Sequence, residues 1–204
     1  MHNIFASYEP DLHGVPLADV AIRRGSGDDA EATGRLAAER EGDAPERWTD
    51  IHARKLSNPD HCLVVAQAGD TMVGFGWVSY LRPGASAGRN APDGWYLSGM
   101  VVAPDMRRRG VGRMLTEARI ACILEHSTEV FYVVSATNRA SRDLHESLGF
   151  TEVTSDFVLP GVVFGNNDGI LCRLGRDDAG AGRGDAGADV IDLAAWNAAR
   201  HSTF

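Results

Sequence analysis

Cysteine is scarce in this chain, and the few cysteines form no pattern. Cys62, Cys122 and Cys172 lie far apart in the sequence and include no Cys-x-x-Cys pair. An odd number of distant cysteines argues against a disulfide framework and a structural zinc site, so we expect three buried thiols. The seven histidines contain no His-x-His or His-Glu-x-x-His group, and no metal site is expected.

Long apolar runs and an excess of positive charge are also missing. No stretch approaches the roughly 20 apolar residues of a membrane span. The N-terminus has no basic region followed by an apolar one, so a cytoplasmic protein is expected. Acidic residues number 28 against 20 lysines and arginines, which gives a formal net charge of −8. This balance disfavours nucleic acid and anionic membranes as partners and leaves cationic small molecules open.

The length of 204 residues suits one domain with a tail. Periodic segments occupy residues 17–174, which we assign to the domain, after an N-terminal extension at 1–16. Residues 175–189 are rich in glycine, alanine and aspartate and are predicted to be a linker. Residues 190–204 fit either a short helix, docked on this domain or on a partner, or a frayed tail. A homodimer joined through this segment is a hypothesis.

Strand and helix patterns alternate along the domain. The predicted elements are a strand at 17–25, helices at 26–39 and 44–57, a hairpin at 62–81, a buried strand at 95–104, a helix at 110–126, a strand at 129–136, a helix at 138–149, and strands at 150–159 and 168–174. A hairpin pairs antiparallel strands, whereas a helical crossover joins parallel ones. Their combination predicts a mixed sheet in an α/β (α+β) fold.

Residues 106–115, MRRRGVGRML, place three consecutive arginines and two glycines at the start of a predicted helix. Backbone amides at the positive end of a helix, beside arginine side chains, favour an anion. The segment lacks the Lys-Ser/Thr pair of a P-loop, and Leu115 stands where a dinucleotide fingerprint has its third glycine. The pattern that remains is a strand, then Arg-x-x-Gly-x-Gly, then an amphipathic helix.

Two segments together resemble the GNAT superfamily of acetyl-coenzyme A dependent N-acetyltransferases. VVAPDMRRRGVGRML, at 101–115, matches the strand, glycine turn and helix that hold the pyrophosphate of coenzyme A in that family. NRASRDLHESLGF, at 138–150, matches its Asn-led helix that ends in Gly-Phe. The resemblance implies a largely antiparallel central sheet flanked by helices, with acetyl-CoA as co-substrate and no metal.

The resemblance also implies which residues bind the coenzyme. They are Met100, Val101 and Val102 along the pantetheine arm; Arg107, through its place in the turn; Arg108, Arg109 and Arg113, as donors to phosphate; Gly110, Val111 and Gly112, as the backbone of the turn; and Asn138 and Ser141, at the start of the second helix. A plain helix cap is an equally good account of Asn138.

The chemistry of acetyl transfer requires a neutral amine. An alkyl ammonium is only about one part in a thousand neutral at pH 7, a handicap of roughly 4 kcal/mol, so a base should matter more than an acid. Where many family members have Leu-Glu-Gly, this chain has Leu97-Ser98-Gly99, and Ser98 can hold a water but is no base. The substitutes that the sequence offers are Tyr96, Asp93, Glu41 and Asp50.

Histidine replaces the family's usual general acid, a tyrosine four residues before the glycine of the second helix. His145 occupies that position. Its side chain can protonate the leaving thiolate, shuttle the proton of the amine, or only pack near the coenzyme's sulfur. Around the acceptor, the resemblance places Trp48, His52, Trp77 and Trp95, although aromatic residues on such elements are usually core.

Three functions follow from the resemblance. The first is acetyl transfer to a primary amine of a small, cationic molecule, either a metabolite or an aminoglycoside-like antibiotic. The second is acetylation of a protein N-terminus or lysine. The third is a non-catalytic module that binds acyl-CoA, which the replacement of both family residues keeps open.

Overall fold

The computed structural model describes residues 19–84, 89–165 and 167–175. Its strands and helices are β1 (Val20–Arg24), α1 (Ala30–Glu41), α2 (Pro45–Leu56), β2 (His61–Ala68), β3 (Thr71–Leu81), β4 (Gly94–Val102), α3 (Val111–Leu124), β5 (Glu129–Ser135), α4 (Arg139–Glu146), β6 (Thr151–Thr154) and β7 (Gly169–Gly175). The predicted N-terminal extension, linker and C-terminal helix lie outside the described residues, apart from Gly175.

The strands form one sheet in the order β1-β2-β3-β4-β5-β7-β6. Every neighbouring pair is antiparallel except β4 and β5, which are parallel and joined through α3. A parallel pair needs such a crossover, because a tight turn cannot return the chain in the same direction. The prediction of a mixed, largely antiparallel sheet flanked by helices is therefore confirmed.

The pairing of β4 with β5 is short. Only two residue pairs join them, Tyr96 with Phe131 and Leu97 with Tyr132. Immediately after these pairs β4 carries a bulge, because Trp77 pairs with Ser98 but Gly76 pairs with Met100. The extra residue is Gly99, whose φ of 41° favours glycine. The bulge coincides with the place where β4 and β5 stop pairing, and an opening forms in the sheet there.

The two faces of the sheet carry different helices. Phe75 and Trp77 of β3 pack in one cluster with Ala37 of α1, and Trp48 of α2 lies against that cluster. On the opposite face lies α3, whose apolar stripe of Val111, Leu115, Ala118 and Cys122 is buried. The opening between β4 and β5 thus lies between two helical layers.

Two local predictions are settled by the structure. The expected buried thiols are confirmed, because all three cysteines are free and buried. The strand predicted at 150–159 is shorter, since β6 ends at Thr154 and only an isolated bridge joins Val158 to Asn90. Within the described residues no helix is long and apolar enough to cross a membrane.

The contact of α1 with α2 depends on Gly34. A Cβ atom at this position would lie 2.4 Å from Oγ1 and 2.7 Å from the backbone nitrogen of Thr49. We therefore expect Gly34→Ala to lower the free energy of unfolding by about 1–3 kcal/mol, although alanine is the better helix former. Urea denaturation measures the change. Gly27→Ala, where a Cβ would meet nothing within 4 Å, is the matched control, and a Gly34→Ala protein as stable as that control would contradict the packing.

Candidate active site

A cleft of about 420 Å³ occupies the opening between β4 and β5. Ser98, Gly99 and Met100 of β4 line one wall, and Val133, Val134 and Ser135 of β5 line the other. The start of α4 and the turn before α3 close its ends. Its walls are therefore two strand edges that do not pair with each other, and their backbone groups face a space that an extended ligand can enter.

The start of α3 lies at this cleft and has the geometry that favours an anion. Gly110 caps the helix in the left-handed conformation with φ 88°, and this residue has no side chain that could bond to the first helical amides. The first amides of a helix have no partner within the helix, so they are available to a ligand. The first amides of α4 differ in this respect, because Oδ1 of Asn138 accepts a hydrogen bond from the amide of Ser141 at 3.2 Å.

Eight of the twelve predicted coenzyme residues line the cleft: Met100, Val101, Val102, Arg107, Arg108, Gly112, Asn138 and Ser141. The other four lie beside it. The side chain of Val111 is buried in the core, Gly110 is the helix cap, and Arg109 donates to Sδ of Met106. Arg113 bonds Glu117 and Ser147, so its predicted phosphate contact would require these bonds to exchange.

Arg119 forms part of the cleft wall although it is only 2% exposed. Its guanidinium donates to the carbonyl oxygens of Leu115 and Trp77, at 3.2 and 3.4 Å, and to Oγ1 of Thr116 at 3.2 Å. Burial lowers its pKa to about 10, so the group stays charged at pH 7. No carboxylate in the described part of the chain pairs with it. A buried positive charge without a carboxylate partner favours an anion or a carbonyl oxygen in the cleft.

The space for Arg119 comes from Gly76 on β3. A Cβ atom at Gly76 would lie 2.7 Å from Nε and 2.9 Å from Cζ of this arginine. The position of the charge is thus set by a glycine on the sheet and by four hydrogen-bond acceptors, the fourth being Sδ of Met100 at 3.2 Å.

His145 lies in the cleft wall and is 4% exposed. Its ring stacks on Tyr132 with the centroids 3.9 Å apart, and its Nδ1 lies 2.7 Å from the carbonyl oxygen of Ser141. A carbonyl can only accept, so Nδ1 carries the proton and Nε2 keeps a lone pair. Burial lowers the pKa of His145 to about 4, with a smaller lowering from Arg119. A neutral ring at pH 7 does not favour the predicted role as acid for the thiolate.

Ser98 and Tyr96 differ in their access to the cleft. Ser98 lines it, and its Oγ lies 2.8 Å from Oγ of Ser79 on β3. Tyr96 is 1% exposed, packs on Phe131, and donates its hydroxyl proton to the carbonyl of Pro92 at 2.7 Å. Burial raises the pKa of Tyr96 above its usual range. Tyr96 is therefore a core residue with its hydroxyl engaged, and this arrangement does not favour the predicted role as a base.

The four aromatic residues predicted around the acceptor take part in the packing of the sheet and its helices, and their place around the acceptor stays a prediction. None of Trp48, His52, Trp77 and Trp95 lines the cleft. His52 is buried between α1 and the sheet, where Nδ1 bonds Oγ1 of Thr33 at 2.8 Å and the ring packs on Trp77. Trp95 packs edge-on against Tyr80. The three acids considered as bases, Glu41, Asp50 and Asp93, are absent from the cleft lining as well.

Sequence reasoning missed several cleft residues. Arg40 of α1 lines the cleft and donates to the carbonyl of Met100 at 3.0 Å, and Tyr132 and Phe164 line it too. Only Arg119 has a signal in the sequence, because it lies four residues after Leu115 and interrupts the apolar stripe of α3. The other residues come from parts of the chain that are distant in sequence and that only the fold brings to the cleft. In the described ranges no group of three or more histidine, cysteine, aspartate or glutamate side chains could hold a metal ion.

Comparison with known proteins agrees with this geometry. The sequence model of the Acetyltransferase (GNAT) family matches residues 30–150, which is more than half of the chain. The chain belongs to the GNAT acetyltransferase family. The match includes both α3 with its glycine turn and the Asn-led helix α4.

Named relatives of this GNAT chain act on different acceptors. The mycothiol acetyltransferase of Thermobispora bispora is 35% identical over 139 residues, which are 64% of this chain and 45% of the relative. The [ribosomal protein bS18]-alanine N-acetyltransferase of Salmonella typhimurium is 37% identical over 79 residues, 38% of this chain and 53% of the relative. The chain thus spans about half the length of these curated relatives.

Among solved structures, the aminoglycoside N-acetyltransferase AAC(6')-Iy in complex with a bisubstrate analogue superposes with a TM-score of 0.58. The alignment covers 72% of this chain and 97% of that one, at 23% identity. This likeness concerns the fold.

The buried histidine makes the stability of this GNAT chain depend on pH. The unfolded chain takes up a proton near pH 6.5, whereas folded His145 takes it up only near pH 4. Folding stability due to this group should fall by about 3 kcal/mol as the pH drops from 6.5 to 4 and change little outside that window. His145→Phe should remove the share of this group from the curve of unfolding free energy against pH, while buried His52, whose pKa is also lowered to about 4, keeps its own share. His126→Gln, at an exposed site, is the control, and an unchanged slope in His145→Phe would disprove the low pKa.

Proposed function

We propose that this protein is an N-acetyltransferase that moves the acetyl group of acetyl-CoA to a primary amine of a small, cationic molecule. The amine attacks the thioester directly while both substrates are bound. The observation that carries the proposal is the unpaired opening between β4 and β5 beside the start of α3, where the cap residue Gly110 has no side chain to bond the first amides. Membership of the GNAT family and the names of the relatives, all acetyltransferases, support the same reaction.

In the proposed complex the coenzyme would lie in the cleft in one orientation, with its pyrophosphate at α3 and its acetyl group at Ser98. Its pyrophosphate would bind the first amides of α3, at Val111 and Gly112, with Arg107 and Arg108 nearby as charge-assisted donors. Its pantetheine arm would run between the edges of β4 and β5, where Met100–Val102 offer backbone groups. The acetyl group would then reach Ser98 at the point where the two strands begin to pair.

The charges of the protein suit both reactants, the thioester and the acceptor amine. Arg119 lies in the wall next to Met100 and Thr116, so its positive charge can stabilise negative charge that develops on the thioester oxygen or sulfur. We infer that His145, being neutral with Nε2 as acceptor, contributes by orienting a donor near the sulfur instead of supplying a proton. The acidic net charge of −8 favours the approach of a cationic acceptor.

A second candidate is acetylation of a protein amine. One observation favours it, because a relative 37% identical over 79 residues is named for an alanine of ribosomal protein bS18. The non-catalytic module stays the third candidate. A cytoplasmic location and a homodimer stay predictions.

The first test of the proposal is the release of coenzyme A thiol from acetyl-CoA by the purified protein. The panel contains polyamines, aminoglycosides, amino sugars and amine-terminated peptides, each assayed across pH 6 to 9. Turnover on a small cation supports the proposal, and preference for peptides would replace it with the second candidate. Binding of acetyl-CoA without turnover on any amine would favour the third.

Coenzyme binding itself is tested by Gly112→Ala. A Cβ atom at Gly112 would meet only Cε of Met100, at 3.7 Å, so the free protein accommodates it. Alanine in a helix should even raise stability by up to about 1 kcal/mol. The added methyl group nevertheless stands where the pyrophosphate approaches. We expect at least a tenfold weaker acetyl-CoA affinity by calorimetry, together with an unchanged or higher melting temperature of the free protein. Equal affinity would place the phosphate elsewhere.

A further inference from the structure

A continuous chain of hydrogen bonds leads from the cleft to His61, the first residue of β2. Oγ of Ser98, in the cleft wall, lies 2.8 Å from Oγ of Ser79, and Oγ of Ser79 lies 3.0 Å from Nδ1 of His61. Ser79 is 3% exposed, so this link is shielded from solvent. His61 is only partly buried, and the chain of bonds therefore ends at a group that can exchange protons with water.

The sheet register holds these three side chains together. His61 pairs directly with Ser79 across β2 and β3. Ser98 pairs with Trp77, two residues from Ser79 on the same strand. Cross-strand neighbours of this kind stay within hydrogen-bond reach because the ladder fixes their Cα positions. The arrangement does not depend on a mobile loop.

We propose that Ser98, Ser79 and His61 form a proton relay that removes the proton of the acceptor amine from the cleft, with His61 as the terminal proton acceptor. The inference rests on the proposed acetyltransferase function and supplies the base that Leu97-Ser98-Gly99 lacks. A hydroxyl can accept one proton while it donates another, whereas a serine alone is no base.

The proton balance of the step is complete. The amine nitrogen forms a bond to the thioester carbon, and the excess proton on that nitrogen passes to Oγ of Ser98. The hydroxyl proton of Ser98 moves to Oγ of Ser79, and that of Ser79 moves to Nδ1 of His61. The imidazolium releases a proton to water from Nε2. Rotation of the two hydroxyls and exchange of the ring protons with water then restore the starting tautomer, with Nε2 protonated and Nδ1 bare. The carbon–sulfur bond breaks, and the departing thiolate takes a proton from water, so the products are the amide and the coenzyme thiol.

The charged groups around His61 favour a ring that accepts a proton and then releases it to water. Burial lowers the pKa of His61 below 6.5, Lys55 of α2 lowers it further, and Asp60 opposes both. Asp60 is itself paired with Arg82 at 2.6 Å, which restricts its ability to hold an imidazolium. Nζ of Lys55 lies 4.2 Å from the centroid of the Trp77 ring, and the His61 ring meets the same indole edge-on. The histidine is therefore mainly neutral at pH 7, and it does not retain the proton that it accepts.

The direction of the relay is the first thing to measure, and it needs no substrate. Long-range proton–nitrogen NMR spectra of the labelled full chain report which ring nitrogen of His61 carries hydrogen, with His61→Gln to assign the signals. We expect a bare Nδ1 and a protonated Nε2 in the neutral ring, since Ser79 must donate to Nδ1. A protonated Nδ1 would reverse the chain of bonds and overturn the relay.

Kinetics on the best amine of the panel then test the relay in turnover. Ser79→Ala and His61→Gln should each lower kcat/KM about 100-fold, the low end of what a general base contributes. The His61→Gln variant should also lose the fall in rate below pH 6.5. Ser79→Thr keeps the hydroxyl and should retain most of the activity. The shift of melting temperature caused by acetyl-CoA should be unchanged in all three, because neither position lines the coenzyme cleft.

The control is His126→Gln, which removes an exposed histidine outside the relay and should behave as wild type. If His61→Gln and Ser79→Ala turn over at the wild-type rate with the wild-type pH profile, the relay is wrong while the acetyltransferase function stands. If the wild-type chain acetylates no amine on the panel, the proposed function fails and the relay fails with it.

Discussion

The short ladder between β4 and β5 is the feature on which the rest of the site depends. Two residue pairs hold the strands together, and a bulge at Gly99 follows at once. Strand edges that do not pair leave their N–H and C=O groups for something else. An extended molecule with amide groups of its own can satisfy this requirement. The bulge in β4 thus ends its pairing with β5, and the cleft lies where the backbone groups of the two strands do not meet.

Around this opening, the fold concentrates positive charge in an acidic protein. The amides at the start of α3 and the arginines of the preceding turn face one end of the cleft. Arg119 places a full charge in its wall without a carboxylate partner in the described residues, at a position made possible by Gly76. Charge buried in this way is costly unless a ligand compensates it. The same group helps to keep His145 neutral, so one electrostatic arrangement affects both the coenzyme side and the candidate catalytic side.

The acceptor side has a different chemical character. Ser98 stands where many family members have a carboxylate, and no acidic residue predicted as a substitute lines the cleft. A line of two hydroxyls and an imidazole connects the same point to solvent. In the proposed relay the base lies away from the reacting atoms, and the side chain that lines the cleft at this point, Ser98, is small and uncharged.

The sequence by itself determined the element order, the mixed sheet and the glycine turn, because apolar periodicity and turn residues are local properties of the chain. It also carried the family, through two motifs that depend on short spacings. Only the tertiary structure decided which side chains meet at the cleft. Trp48, His52, Trp77, Trp95 and Tyr96 could not be placed from their types, since buried aromatic residues have the same pattern in a core and in a pocket. Arg40, Ser79 and His61 had no signal at all, because strand register and helix packing bring together residues that lie far apart in the sequence.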